Sequence, residues 1–410
     1  MSRNFDTDDY PGRPRILFLG QGESTHSHAW IDLLQDSSFN IRLFCTSDGL
    51  PPDDWPVRTY VTAYEHGPLN SATRAALHSS SQAVRFTRRN VARAGRVNVP
   101  EMADRWLARI IRDWRPDIIH TLGLESAGEY FFRLRRRFAL EGIGKWVLQL
   151  RGGSDLALAH LDPDRATALA EVLQACDQLL SDNQQNFRIA REFGVREEQL
   201  SRIGTVPGTG GVDVDAIASR RQGQPSARRV ILWPKVYECA WSKVLPVYEA
   251  LKMCWDQLQP CELHMLAMTD EARLYFWTLP ESIRRGCRLM NRVPRSEAIE
   301  AMTRARLLLA PSLVDGTPNS MFEAMAGGAL PIVSPLETIS AIVKNEENVL
   351  FARNLYPEEI ASALVRGMTD DALVDGAAQR NLELVSHLAN RREVQPRVIE
   401  FYESLAAEAR

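Results

Sequence analysis

No apolar run in these 410 residues approaches the roughly eighteen residues that a membrane-spanning helix needs, so no transmembrane segment is expected. Cysteine is scarce as well: six residues, at 45, 176, 239, 254, 261 and 287, with no Cys-x-x-Cys pair among them. That pattern excludes a disulfide framework and a four-cysteine zinc site, and reads as reduced thiols of a cytoplasmic protein. Nor is there an excess of charge. Lys and Arg number 49 against 52 Asp and Glu, a net charge of -3 that argues against a generic nucleic-acid binder. The opening residues, MSRNFDTDDYPGRPR, are polar and acidic and lack the apolar core of a signal peptide.

Apolar residues at 45% and charged residues at 25% are ordinary for a folded globular chain, and the length suits two halves of about 200 residues. Short apolar runs recur at 15–20, 41–46, 117–120, 146–150 and 176–181, then at 230–233, 263–268, 287–293, 307–310 and 330–333. Helical patterns separate them, the alternation that builds parallel α/β sheets. The segment 69–114 reads as helical and carries Arg85, Arg88, Arg89, Arg93 and Arg96; with Arg133 and Arg135 to Arg137 these would form a basic face. Such a face suits peripheral contact with anionic membrane, although a run of charge is also the usual solvated side of a helix. The polar stretch 219–229, SRRQGQPSARR, has Gly and Pro but no apolar period and reads as a linker, placing the division near residue 220.

The most informative stretch is 307–335, LLLAPSLVDGTPNSMFEAMAGGALPIVSP. Two apolar runs enclose a polar turn and a short helix, a strand–loop–helix–strand unit. Gly316, Thr317 and Pro318 give a tight turn into the helix, and Gly327 and Gly328 stop it. A helix starting at the carboxyl end of a buried strand aims its free N–H groups and positive dipole end at the ligand crevice, where phosphate oxygens bind. Asp315 lies before the helix and Glu323 one to two turns inside it, so the two carboxylates suit two different sets of hydroxyls.

An acid, seven residues, then Glu323 followed by Ala-Met-Ala-Gly-Gly-Ala-Leu-Pro-Ile-Val resembles the donor-site signature of retaining GT-B glycosyltransferases of the group-1, family 4 class. The resemblance implies two Rossmann-like domains facing each other across a cleft: residues 1–220 for the acceptor, 221–390 for a nucleotide-sugar donor, and a last helix, 391–410, crossing back. It gives Asp315 the transferred sugar, the loop and helix start made of Gly316, Thr317, Pro318, Asn319, Ser320 and Met321 the sugar and phosphate through its free N–H groups, and Glu323 the ribose. The first acid is usually Glu in that family, so Asp315 reaches one methylene less far. Lys235 and Lys243 correspond to the cations that neutralise the donor diphosphate, and Arg292 and Val293 to the turn that meets the base.

In the first half the same resemblance makes His26 a cleft residue, His120 a candidate contact to the donor sugar, and Arg151 with Asp155 acceptor-side groups. A capping loop with an exposed His26, a structural His120 at a strand end and a capping Asp155 fit those positions too. Gly20-Gln-Gly22-Glu-Ser-Thr25 lacks the third glycine of a dinucleotide fingerprint, which disfavours a dehydrogenase. The implied reaction is transfer of a sugar from a UDP- or GDP-sugar to a carbohydrate, lipid-linked or small-molecule hydroxyl, in surface polysaccharide, glycolipid or glycoconjugate synthesis. It requires no further cofactor and no metal, because lysines and a helix end meet the diphosphate charge. The expected location is cytoplasmic, at or near the inner face of the membrane. A nucleotide-sugar epimerase and a non-catalytic nucleotide-sugar-binding protein of the same fold remain alternatives.

Overall fold

A computed structural model describes residues 5–47, 49–62, 69–75, 99–152, 155–291 and 293–409. The chain divides into two units, each built on one parallel sheet. The first comprises Met1–Arg151, Asp155–Gly210 and Gln395–Arg410; the second comprises Gly152–Ser154 and Gly211–Val394.

The first sheet has seven strands: β1 (Arg15–Gly20), β2 (Asn40–Cys45), β3 (Arg58–Val61), β4 (Thr73–Ala75), β5 (Ile118–Leu122), β6 (Lys145–Leu150) and β7 (Gln178–Ser181). Their order is β4-β3-β2-β1-β5-β6-β7, every pairing parallel. The central strands β1, β5 and β6 are buried almost throughout, as strands of a parallel sheet with both faces covered by helices are. One face packs Leu17, Leu19, Ile119 and Leu148 against Leu107 and Ile111 of the helix Val99–Trp114 and Phe131 of the helix Glu129–Arg137. On Phe18 and His120 of the same sheet lies Tyr402, from the last helix, Arg391–Ala409.

The second sheet has six strands: β8 (Val230–Trp233), β9 (Glu262–Met265), β10 (Cys287–Leu289), β11 (Ala305–Ala310), β12 (Leu330–Val333) and β13 (Leu350–Phe351), in the order β10-β9-β8-β11-β12-β13. All of these pairings are parallel as well. Ile231, Leu307, Leu309 and Ile332 form a core with Val247 and Leu251 of the helix Leu245–Leu258 and Ile360 and Leu364 of the helix Pro357–Thr369. The sequence of connections reverses between β8 and β11, and beyond the carboxyl ends of two such strands is the ordinary ligand position in a sheet of this type.

Three expectations are corrected. The unit boundaries fall at Gly210/Gly211 and Val394/Gln395, not at 220 and 390. Val212 donates its N–H to Ala389 O at 2.8 Å and accepts at 2.8 Å from Arg391 N, which draws the segment after Gly210 into the second unit. The stretch 219–229 is not a free linker. Asp375 accepts from Gln224 Nε2 (2.6 Å), Ser226 N (3.0 Å) and Ser226 Oγ (2.7 Å), and Arg228 Nη1 donates to Ala305 O (3.0 Å) and Gly327 O (2.9 Å). Within 69–114 the described part holds strand β4 before the helix Val99–Trp114, so that segment is not helical throughout. Residues 76–98, including Arg85, Arg88, Arg89, Arg93 and Arg96, lie outside the described residues.

Candidate functional site

The loop after β11 is fastened on several sides. Ser312 N donates to Ser334 Oγ (3.0 Å), which in turn donates to Ala352 O (3.1 Å), joining the ends of β11 and β12 to the residue after β13. Leu313 N reaches Trp241 O at 2.8 Å. Asn354 spans two loops: its Nδ2 donates to Pro311 O (3.0 Å) and Lys243 O (3.1 Å), and its Oδ1 accepts from Lys243 N (3.0 Å). Thr338 Oγ1 holds Asp315 O at 2.9 Å. A loop tied this way presents its side chains from a fixed frame, as a binding site at the carboxyl end of a strand requires.

Asp315 is half-buried in this frame. Burial raises its pKa above the ordinary carboxylate value, opposed by the Lys235 cation and the Gly316 N–H. Lys235, exposed two residues beyond β8, and Asp315, five beyond β11, therefore belong to one electrostatic neighbourhood at the reversal of the second sheet. The helix Asn319–Gly327 starts there with Pro318 as N-cap and no side-chain cap. Ser320 to Gly327 are all buried, and Gly328, at φ 86°, closes the helix in the left-handed conformation. Its far end fits closely against the helix Arg295–Arg304: a Cβ on Gly327 would stand 3.0 Å from Met302 O.

Glu323 is only 9% exposed and is paired with Arg295, whose Nε (3.1 Å) and Nη2 (2.8 Å) both donate to Oε1. Lys243 donates to Glu238 Oε1 at 2.8 Å, which raises the lysine pKa. The other oxygen of Glu238 accepts from Val244 N at the start of the helix Leu245–Leu258. Val293 is half-buried against a core cluster with Leu232, Met302 and Leu308, while Arg292 lies outside the described residues.

In the second unit the Lys235 charge thus acts on Asp315, four residues ahead of the helix Asn319–Gly327 that carries Glu323. Arg295 was not among the sequence candidates. An arginine directly after a proline reads as an ordinary helix-start charge, and only the packing of the two helices reveals its partner.

Residues 240–370 match a family model described as glycosyl transferases group 1. The chain carries a group 1 glycosyl transferase domain. The chain is accordingly a glycosyltransferase, an enzyme of the EC 2.4 class. Among solved structures it is similar to sucrose-phosphate synthase from Thermosynechococcus elongatus, at TM-score 0.69 and 15% identity over 97% of this chain and 100% of that one. It is also similar to Anabaena HepE in complex with UDP-glucose (0.65, 14%, covering 95% and 99%) and to a glycosyltransferase from Rickettsia africae (0.65, 11%, covering 96% and 99%). A comparison with curated protein sequences finds no match. At these identities the structural likenesses establish the fold, which is of the GT-B type, α/β with two parallel sheets.

In the first unit, next to this group 1 domain in the chain, the candidates behave differently. His26 is exposed in the helix Thr25–Ile31, which Ser24 caps. His120 is fully buried among Phe18, Trp30 and Tyr402, so its expected contact with a donor sugar is corrected: a ring with no exposed surface touches no ligand. Its Nδ1 lies 2.5 Å from Tyr402 Oη, which also accepts from Trp30 Nε1 at 2.9 Å. Burial and the neighbouring Arg151 charge keep this imidazole well below its usual pKa and hence neutral.

Asp155 is a brace. It accepts from the backbone N–H of Leu124 (2.9 and 2.8 Å), Glu125 (3.2 Å) and Arg151 (2.9 Å), while burial still pushes its pKa up to about 6. Its carboxylate joins the loops after β5 and β6, and the capping role is not observed: no N–H of the following helix, Leu156–Ala159, bonds to it. Arg151, its pKa lowered to about 10 by burial, leans on Ser27 Oγ (3.4 Å) and Gln149 Oε1 (3.5 Å). Of the described arginines in the expected basic face, Arg133, Arg136 and Arg137 lie within 4.0 Å of Glu129, Glu171, and Glu101 with Asp104. Arg135 donates to Ala175 O. Among the described residues no helix is long and apolar enough to cross a membrane, and no cluster of His, Cys, Asp and Glu has the makings of a metal site.

Proposed function

We propose that the chain moves a sugar, with retention of configuration, from a UDP- or GDP-sugar to a hydroxyl of a carbohydrate, lipid-linked or small-molecule acceptor in surface polysaccharide, glycolipid or glycoconjugate synthesis. One observation carries the reading: an acid whose charge is felt by a lysine stands beside the uncapped start of a buried helix, at the reversal of a parallel sheet, with a second carboxylate inside that helix. The HepE structure holding UDP-glucose on a similar fold supports the donor class.

In this reading Lys235, Lys243 and the backbone N–H groups of Gly316, Thr317, Asn319, Ser320 and Met321 stabilise charge on the leaving diphosphate as the bond from its oxygen to the anomeric carbon breaks. Lys243 exchanges Glu238 for phosphate to do so. The acceptor oxygen bonds to the anomeric carbon on the same face, and its proton passes to the departing phosphate oxygen. Asp315 holds hydroxyls of the transferred sugar, Glu323 those of the ribose, and Val293 borders the base. His26 and Arg151 serve the acceptor, with Asp155 fixing the backbone at Arg151. We attach no membrane role to the described arginines, whose charges are met by carboxylates or, for Arg135, by a backbone carbonyl.

The test is a thermal-shift screen of UDP, GDP and their sugars, followed by product analysis with an acceptor panel. A ligand that binds only the folded chain raises its melting temperature. The expected result is stabilisation by one nucleotide series and acceptor-dependent release of UDP or GDP, with the donor's anomeric configuration kept in the product by NMR. An altered sugar formed from donor alone would instead indicate an epimerase, and no stabilisation by either series would overturn the reading.

A further inference from the structure

The pairing of Arg295 with Glu323 is lopsided. A guanidinium and a carboxylate commonly form two parallel bonds, one to each oxygen. Here Nε at 3.1 Å and Nη2 at 2.8 Å converge on Oε1 alone, and neither goes to Oε2. The carboxylate side chain is 11% exposed, while that of the arginine is 46% exposed, so the anion is set into the protein and the cation holds it from the solvent side.

The two helices that carry the pair cannot drift apart or closer without cost. The helix Arg295–Arg304 presents its Met302 carbonyl to Gly327 of the helix Asn319–Gly327, where a side chain of even one carbon would meet backbone at 3.0 Å. Around Glu323 the same helix buries Met321, Phe322, Met325 and Ala326 in an apolar cluster that Ile299 joins from the neighbouring helix. Among the described residues Arg295 is the one cation bonded to this glutamate. The fork on Oε1 holds the carboxylate from one side and leaves the second oxygen as an acceptor.

We propose that Arg295 is a positioning residue for nucleotide recognition: by gripping Oε1 it fixes the Glu323 side chain so that Oε2 accepts from the ribose hydroxyls. The inference rests on the assignment of Glu323 to the ribose in the preceding section and extends it to a residue outside the signature. Arg295 acts on the ribose only, through Glu323, and contributes nothing to the bond that breaks.

The experiment measures binding of UDP and GDP, and of their 2′,3′-dideoxy counterparts, by calorimetry to the wild type, Arg295→Ala, Arg295→Lys, Glu323→Gln and the Arg295→Ala/Glu323→Gln double variant. Removing the arginine is expected to weaken the ribonucleotide about tenfold, a change of about 1.4 kcal/mol. Lysine, which supplies one charged donor but no fork, recovers part of the loss. The dideoxynucleotide loses little, the double variant is no weaker than Glu323→Gln alone, and in turnover assays the loss falls on the donor KM and not on kcat. Equal weakening of the ribo- and dideoxynucleotide, or additive losses in the double variant, would overturn the inference, as would unchanged affinity in Arg295→Ala. A wild type that binds neither UDP nor GDP overturns the donor-site reading itself, and that outcome is seen before any variant is compared.

Discussion

Trp30 and Tyr402, 372 positions apart in the chain, meet through a 2.9 Å hydrogen bond from indole nitrogen to phenol oxygen. The same phenol serves His120, so one hydroxyl meets two buried groups. Tyr402→Phe keeps the ring and deletes only that oxygen. The expected loss is about 1–3 kcal/mol of stability, the cost of leaving buried polar groups unpaired. Denaturant unfolding of wild type and variant checks it, and a variant as stable as the wild type would show that the bond carries no weight.

The neighbouring titrations give the first unit two opposed pH dependences. Buried His120 stays neutral in the fold while the unfolded chain takes up a proton as pH falls through about 6.5. Its contribution is therefore present above that value and lost as pH falls. Asp155, with a folded pKa of about 6 against an ordinary 3.8, holds its proton in the fold after the unfolded chain has released it. That contribution is full below 3.8 and is lost as pH rises through about 6. Because the slopes oppose, the measure is the stability gap between wild type and His120→Gln. The gap is expected to narrow from pH 7.5 to pH 5; a constant gap would contradict a neutral buried ring.

Asp315→Asn preserves shape and removes charge. Turnover is expected to fall about 10²–10³-fold, the scale for deleting one electrostatic contact to a reacting group, with folding intact. Burial also sets the pH profile: the acid limb of the rate should lie above the ordinary aspartate range and vanish in the variant. Lys235→Ala removes the cation that opposes the burial effect, so the limb should move to still higher pH. Rate profiles on the three proteins decide it.

Gly327→Ala is expected to cost about 1–3 kcal/mol, as overpacking against rigid neighbours does. The added carbon would meet Met302 O at 3.0 Å, Met302 C at 3.1 Å and Thr303 N at 3.2 Å, all backbone. Gly376→Ala is the control. There the nearest atom is Arg380 Nη1 at 3.1 Å, the end of a flexible side chain, and alanine in a helix gains up to about 1 kcal/mol over glycine. Thermal unfolding should separate the two in sign.

Much of the second sheet was legible because β8, β11 and β12 are short apolar runs bounded by turn residues, and the acids sit at fixed distances from them in the chain. Asp315 and Glu323 could be placed before and within one helix from spacing alone. What spacing does not encode is which side of a strand looks inward. His120 ends an apolar run, and nothing local distinguishes a histidine aimed at a ligand from one aimed at a tyrosine 282 positions later. The stretch 219–229 misled for a similar reason. Its polar side chains are spent on Asp375 and on backbone carbonyls of β11 and the helix Asn319–Gly327, partners remote in sequence. Lys243 was found, but its attachment to Glu238 was not, since a Lys and a Glu five residues apart before a helix have no required geometry.

The last sixteen residues, Gln395 to Arg410, belong with the first 210. On the ribosome, the first sheet is made early, yet the phenol that completes its interior follows the whole second sheet in the chain. Until then, Trp30 and His120 must wait with that seat empty while the whole second sheet is synthesised and free to fold first. The order of assembly would then run against the order of translation, with the later-made half maturing before the earlier one.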